Sequence, residues 1–397
     1  MGGWICVHLR YLRFEDSGGR GIRINLCDLW LVVRMPPMGV RTRWNSTTVR
    51  ELPDEGFHVR REYITQQQQQ HGRQALAVLP IHYPKELLTA MNILAVELWG
   101  PPGKPWGPDA GRIQTYVCAV VRNALAFLAA GGADVVDGVL FPHTCDSIQG
   151  LATQAPDFGG WGKQAFRFIH PKGDDRPSSR TFVRRELHAL ASELERLTDV
   201  PLDGDALGQA ISLHREIHEL RGRLVDQRRS LPVDDLELYT LLRRGEFLWP
   251  EDHLAELRES AAALEDQPIQ KGAPVMITGL VPEPMTILSA LNDAGAFVVA
   301  DDYAAIGRRI VRDHPGMAAD PFDTLVDLQF AGPPCSTRTI AQQRRLDELE
   351  RTFDESGAAG LIIHMVKFCE PELFDVPLIR RRFEANGVPV LYLSLIH

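Results

Sequence analysis

From residue 75 onward, short and nearly continuous apolar runs alternate with longer stretches in which apolar residues recur at helical spacing. The run at 135–141 is almost wholly apolar, which is typical of a parallel strand buried on both faces. A helix is predicted over 116–130, where two glycines then end the pattern. Similar apolar runs predict seven further strands, at 75–79, 94–98, 166–169, 275–280, 297–300, 360–364 and 388–393.

Residues 176–270 differ, because they form long charged segments that lack β-branched runs. Four helices are predicted there, over 180–197, 205–229, 235–244 and 250–264. Further helices at 284–292, 342–356 and 377–386 then alternate with strands, and glycine follows each of them. This repeated helix–strand unit predicts parallel sheets with right-handed crossovers. The fold class is therefore α/β, with two small doubly wound parallel-sheet (Rossmann or flavodoxin-like) domains joined by a helical segment.

Four segments follow from these patterns. Residues 75–175 are predicted to form the first α/β domain, 176–270 a helical connector and 271–397 the second α/β domain. Residues 1–74 form an atypical segment that we expect to be poorly ordered or helical, since its first fifty residues show no sustained period. That basic, Trp-rich stretch indicates a misassigned start, and the second domain is expected to be truncated at its C-terminus.

Composition narrows the functional classes. An apolar fraction of 44% is ample for large cores and excludes a disordered chain. The net charge is -9, and residues 51–397 carry 35 basic against 49 acidic side chains, so a nucleic-acid partner is not expected. No apolar run is long enough for a membrane span, and none of the six cysteines forms a CxxC pair. We therefore expect a cytoplasmic protein without structural disulfides.

Two of the cysteines lie where a doubly wound fold places its sites, beyond the carboxyl ends of the strands. Cys145 and Cys369 each follow a predicted strand, one in each domain. Cys118 lies in the first turn of a predicted helix, and Cys335 lies in a proline-rich loop. Thiolates from several loops can hold a soft metal or an iron–sulfur cluster. The alternatives are small buried apolar residues or a zinc site that includes His143, although zinc usually shows a close ligand pair.

Five collinear motifs resemble those of the 2-hydroxyacyl-CoA dehydratase and benzoyl-CoA reductase family, as in a 2-hydroxyglutaryl-CoA dehydratase D-component type subunit. The resemblance covers residues 75–393. The motifs are YPKEL at 83–87, HTCDS at 143–147, ADDY at 300–303 before Gly307 and Arg308, GPPCST at 332–337, and VKFCEPE at 366–372.

The resemblance implies a [4Fe-4S] cluster held by three protein thiolates, with the fourth iron open to water or substrate. The residues that match the family's ligands are Cys118, Cys145 and Cys369. Cys335 matches a motif found in part of the family, so it is a neighbour or an alternative ligand. No dinucleotide or P-loop motif is present, in keeping with a separate ATP-binding protein.

Two residues are candidates for proton handling. Glu86 matches the family position whose carboxylate lies near the substrate, although an acid in a first helical turn can equally interact with the helix dipole. His143 could hydrogen-bond a substrate carbonyl or a cluster sulfur, or be a structural histidine.

The implied function is that of a lyase, the iron–sulfur subunit of an oxygen-sensitive 2-hydroxyacyl-CoA dehydratase. It would eliminate water from an acyl-CoA thioester through a ketyl radical after one-electron activation. Implied partners are a second homologous subunit and an ATP-dependent activator protein that supplies the electron. Two alternatives remain open: an oxidoreductase subunit of the benzoyl-CoA reductase type, and a cluster-bearing electron relay without substrate chemistry of its own.

Overall fold

The chain is described by a computed structural model over residues 4–16, 22–34, 55–100, 113–154, 162–262, 272–338 and 341–394, with side chains from residue 60 onward. The strands are β1 (Trp4–Asp16), β2 (Ile22–Arg34), β3 (Gln74–Val78), β4 (Ile93–Glu97), β5 (Gly138–His143), β6 (Gln164–Ile169), β7 (Ala273–Gly279), β8 (Ala296–Tyr303), β9 (Gly360–Met365) and β10 (Val390–Ser394). The helices are α1 (Glu55–His71), α2 (Lys85–Ala90), α3 (Ala119–Ala129), α4 (Asp146–Gln154), α5 (Pro177–Thr198), α6 (Gly204–Asp226), α7 (Asp235–Arg244), α8 (Pro250–Ala262), α9 (Thr286–Asp293), α10 (Pro321–Ala331), α11 (Gln342–Ser356) and α12 (Glu370–Ala385).

Two four-stranded parallel sheets form the body of the molecule. Their strand orders are β4-β3-β5-β6 and β10-β9-β7-β8. The central strands are nearly continuously buried, because helices cover both faces of each sheet. The predicted α/β fold class, with two doubly wound parallel-sheet domains, is thereby confirmed.

Helices from outside the first sheet's own βα units cover one of its faces. Apolar side chains of α5, among them Val183 and Leu187, pack with Leu76 and Phe166 of the sheet. Helix α10, which lies late in the sequence and was not predicted, joins the same cluster through Leu325. The chain after β8 thus crosses back onto the first domain and brings the Cys335 loop with it.

A second apolar cluster is continuous between the two sheets. It contains Val139 of the first sheet, Ile277 of the second and Leu224 of α6, all almost fully buried. Burying one such side chain contributes about 1.5–3 kcal/mol, so this shared core holds the two domains together.

The N-terminal segment contains two strands that the sequence patterns do not predict. Strands β1 and β2 form an antiparallel pair in which Cys6 lies opposite Val32 and Cys27 lies opposite Tyr11. Helix α1, which includes the glutamine run, follows it. Among the helices that the structure describes, none combines the length and the apolar composition needed to cross a membrane.

Candidate functional site

Three cysteines each lie directly before a helix. Cys118, Cys145 and Cys369 come directly before α3, α4 and α12. The carbonyl oxygen of each accepts a hydrogen bond from the backbone N–H four residues later, at 3.1, 3.1 and 2.9 Å respectively. Each cysteine therefore occupies a helix N-cap, where the positive end of the helix dipole favours a thiolate. Helix α3 starts three residues later than predicted, which moves Cys118 from the first turn to the cap.

A backbone hydrogen bond ties the loops of the two domains together. The N–H of Ala119, next to Cys118, donates to the carbonyl oxygen of Lys367 at 3.1 Å. Burial raises the pKa of Cys369 well above its ordinary value, and negative charge on Glu372, Cys118 and Cys145 raises it further. The three thiols thus lie within electrostatic range of one another.

Burial makes the thiol of Cys118 a weak acid. Burial, followed by the charge of Cys145, raises the pKa of Cys118 to about 12. The protein alone therefore keeps this buried thiol protonated at neutral pH, and a metal would be needed to stabilise its thiolate.

The spacing of these groups distinguishes between kinds of metal site. Within the described residues, no three His, Cys, Asp or Glu side chains are placed to hold a single metal ion. In an iron–sulfur cluster each thiolate binds a different iron atom, so the sulfurs need not converge on one point. A cluster therefore places a different demand on the spacing of its thiolates than a single zinc ion does.

Cys335 lies beside this set and is held differently. It is only 1% exposed, its Sγ accepts a hydrogen bond from Nη1 of Arg308 at 3.5 Å, and it contacts Oγ1 of Thr337 at 3.2 Å. Nζ of Lys172 donates to the carbonyl oxygen of Thr337 at 2.8 Å and to that of Thr144, next to Cys145. Lys172 therefore connects the two cysteine loops.

A buried ion-pair network links Cys335 to the Cys369 helix. Nη2 of Arg308 donates to Asp302 at 3.1 Å and to Glu372, in the first turn of α12, at 3.0 Å. Asp302 also accepts from Arg345 at 2.7 Å. These four charged side chains are nearly inaccessible to solvent. Asp302 thus positions Arg308 and does not cap a following helix, the role that acids of this motif more often have.

The neighbouring acid, Asp301, does cap a turn. Its Oδ1 accepts the N–H of Gly307 at 2.9 Å, at the start of the short 3-10 helix Gly307–Arg309. A Cβ at position 307 would lie 2.1 Å from the carbonyl oxygen of Asp301, so the close approach requires glycine.

Glu86 lines a cavity of about 130 Å³ between the two domains. Its walls come from α2, α6 and α8 and from the chain that follows β8. Burial raises the pKa of the Glu86 carboxyl. Arg308 lines the same cavity while contacting Cys335, so the cavity adjoins the cysteine loops.

His143 does not share this space. It lines a separate cavity of about 300 Å³ together with Ile148 and Arg167. The structure therefore brings the three cysteines together and places Cys335 beside them, but it puts Glu86 and His143 at different cavities.

Sequence reasoning missed three residues that connect Glu86's cavity to Cys335. Nδ1 of His82 accepts from Nε of Arg338 at 3.1 Å, so the ring proton lies on Nε2, which donates to Thr337 at 3.0 Å. Burial, aided by the charge of Arg338, holds the pKa of His82 well below its ordinary value. A single histidine beside the YPKEL motif carries no spacing signal that could have identified it.

Comparisons with known proteins agree with this architecture. A family profile described as 2-hydroxyglutaryl-CoA dehydratase, D-component, matches residues 80–395. The chain is 25% identical to the lactoyl-CoA dehydratase beta subunit of Anaerotignum propionicum, covering 82% of this chain and 87% of that protein. It is 27% identical to a benzoyl-CoA reductase subunit of Thauera aromatica (81% and 85% covered). It is 24% identical to the (R)-2-hydroxyglutaryl-CoA dehydratase beta subunit of Acidaminococcus fermentans (80% and 86% covered).

The match covers strands β4 to β10, the helices between them and all four cysteines discussed above, so the family resemblance seen in the motifs is confirmed. This chain belongs to the 2-hydroxyglutaryl-CoA dehydratase D-component family.

Proposed function

We propose that this chain is the iron–sulfur subunit of a 2-hydroxyacyl-CoA dehydratase, a lyase that removes the 2-hydroxyl group and a proton from carbon 3 of an acyl-CoA thioester. The observation that supports the proposal is that three cysteines from two domains, Cys118 and Cys369 buried and Cys145 partly buried, each lie at the start of a helix and within electrostatic range of one another. The names of two relatives, lactoyl-CoA and (R)-2-hydroxyglutaryl-CoA dehydratase beta subunits, supply the reaction class.

Cys118, Cys145 and Cys369 would hold a [4Fe-4S] cluster. When bound, such a cluster supplies one-electron chemistry and, at an iron without a protein ligand, a Lewis acid for the thioester carbonyl that forms the ketyl radical. The chain's own contribution is to hold the thiolates at three helix N-termini and to tie the two domains by the hydrogen bond between Ala119 and Lys367. Cys335 is a neighbour of the cluster, oriented by Arg308.

Glu86 is the stronger candidate for moving the proton. Its carboxyl group lines the cavity that adjoins the Cys335 loop, and burial raises its pKa toward the range of a general acid–base group. His143 lies on another cavity and would influence the Cys145 loop from the opposite side. We therefore assign proton transfer to Glu86 and propose only a supporting role for His143.

The relatives are themselves named as subunits, which supports assembly of this chain with a second, homologous subunit. An ATP-dependent activator protein would supply the electron. A second candidate function is favoured by the 27% identity to a benzoyl-CoA reductase subunit, which exceeds that to the two dehydratase subunits. In that case electrons would remain in the product.

The test is turnover of the complex of this chain, a homologous partner subunit and an activator protein, under anaerobic conditions with ATP. Catalytic electron supply should suffice for dehydration of 2-hydroxyacyl-CoA thioesters to enoyl-CoA. A requirement for stoichiometric reductant, with a reduced acyl-CoA as product, would establish the reductase instead. Glu86→Gln should lower turnover by about 10²-fold or more while the iron content stays unchanged. Full turnover in this variant, with loss on Cys369→Ser, would indicate an electron relay.

A further inference from the structure

A cluster of polar groups without partners lines the cavity at helix α6, on the wall formed by Arg221, His218 and His314. The Nε of Arg221, Nδ1 of His218 and both ring nitrogens of His314 are buried without a hydrogen-bond partner. Buried donors without partners are costly, and each calls for an explanation.

Arg221 is the most unusual of the three. It is 6% exposed, and no carboxylate in the described part of the chain forms an ion pair with it. The acids that interact electrostatically with Arg221 already form ion pairs with other side chains. Glu97 pairs with Lys85 and Arg309, Glu246 with Arg243, and Asp301 with Arg228.

The Arg221 guanidinium is a buried positive charge, which favours the binding of an anion beside it. Burial, followed by the charge of Arg309, lowers the pKa of Arg221 to about 10, so it remains a cation at neutral pH. The edge of the His218 ring meets the His314 ring at a centroid distance of 5.5 Å. Both rings can donate a hydrogen bond toward the same space.

We propose that this end of the cavity is an oxyanion-binding site in which Arg221 pairs with a carboxylate or phosphate group and His218 and His314 donate additional hydrogen bonds. A planar guanidinium binds such groups through two parallel hydrogen bonds. The cavity has room for a small anion or for the terminal acid group of a longer ligand. Such a site does not depend on the proposed function.

A metal ion is a poorer occupant. His214 and His218 lie one helical turn apart, as in some zinc sites, but Nε2 of His214 hydrogen-bonds Thr89 at 2.9 Å. No third ligand from the described residues completes a metal site there. The cationic side chain of Arg221 beside them also opposes a metal cation.

The test is anion binding to the purified full chain at constant ionic strength, by calorimetry and by the midpoint of thermal unfolding. The probes are inorganic phosphate, acetate and glutarate, with chloride as the reference salt. The site predicts saturable binding and a raised midpoint with at least one oxyanion. A response to phosphate alone identifies a phosphate ligand, and a response to acetate or glutarate identifies a carboxylate.

Arg221→Met should weaken that binding at least tenfold. The same variant should raise the midpoint without anion, because it removes a buried cation that has no partner. Arg223→Met is the matched control, since Arg223 is exposed on the same helix, and it should bind as the unaltered chain does. Arg221→Lys keeps the charge but loses the planar fork, and intermediate binding is expected. Responses equal to chloride with every probe, or equal responses in Arg221→Met and the unaltered chain, would overturn the proposal.

Discussion

Arg308 ties the Cys335 loop to the helix that carries Cys369, and replacing it should be far more costly than replacing a surface arginine. The Arg308→Met variant removes the hydrogen bonds to Asp302, to Glu372 and to the Sγ of Cys335. Asp302 keeps Arg345 as a partner, whereas Glu372 loses its hydrogen-bonded cation and stays buried, with the charge of Arg345 nearby. Breaking a buried ion pair in this way costs about 3–5 kcal/mol.

The loss of unfolding free energy in Arg308→Met should grow as the pH rises. Burial alone would raise the pKa of Glu372, but the charge and hydrogen bonds of Arg308, with Arg345, hold it below its ordinary value of 4.5. In the unaltered chain this carboxylate therefore stabilises the fold above pH 4.5, and that contribution is lost as the pH falls through the depressed value. In Arg308→Met the pKa rises above 4.5, so stability is lost as the pH rises through the new value. The difference in stability between the two proteins should therefore widen as the pH rises above about 4.5.

Urea unfolding at pH 5 and pH 8, followed by circular dichroism, measures this difference. Arg382→Met is the control, because Arg382 forms exposed ion pairs with Asp347 and Glu350, which contribute little to stability. The double variant Arg308→Met/Glu372→Leu should recover part of the loss, since it removes the carboxylate left without a partner. Equal losses in Arg308→Met and Arg382→Met, or a loss that shrinks with rising pH, would refute the reasoning.

Two further outcomes follow from the structure. Gly307→Ala should lower the free energy of unfolding by about 1–3 kcal/mol, because the added Cβ clashes with a carbonyl oxygen. Gly316→Ala should change that free energy little, because a Cβ at position 316 meets nothing within 4 Å. Denaturant titration of the two variants measures both free energies. The unfolding free energy should also fall as the pH drops from 6.5 toward 4, because burial lowers the pKa of three histidines to about 3 and their neutral forms stabilise the fold above pH 6.5. These are His170, His214 and His253. His253→Gln should flatten this slope, and an unchanged slope would contradict the assignment.

Much of the fold could be predicted because βα alternation leaves a clear pattern. Helices α7 and α11 have the predicted bounds, and the predicted strands of the two sheets lie within a few residues of those observed. Helix α10 was not predicted, although Asp320 followed by Pro321 is a signal for the start of a helix. Its position on the first domain is a tertiary contact that no local pattern reports.

The site was predictable only in part, for a related reason. The positions of Cys145 and Cys369 after strands placed them at sheet edges, since the carboxyl ends of parallel strands share an edge, whereas Cys118 was assigned only through the family resemblance. The charged residues of α6 have the pattern of a solvated face, yet His214 and Arg221 are buried on the cavity wall. Sequence shows that a residue is charged, but its burial depends on which helices pack against it. The separation of His143 from Glu86 likewise depends on how the domains dock.

The most direct test of the central claim is the iron and sulfide content of the full chain purified anaerobically, compared among cysteine variants. The account predicts a brown protein with about four iron atoms per chain. Cys118→Ser, Cys145→Ser and Cys369→Ser should each lose most of that iron, whereas Cys27→Ser, at a cysteine outside the matched region, should keep it. A colourless protein that contains zinc, or iron retained in all three variants, would contradict the account.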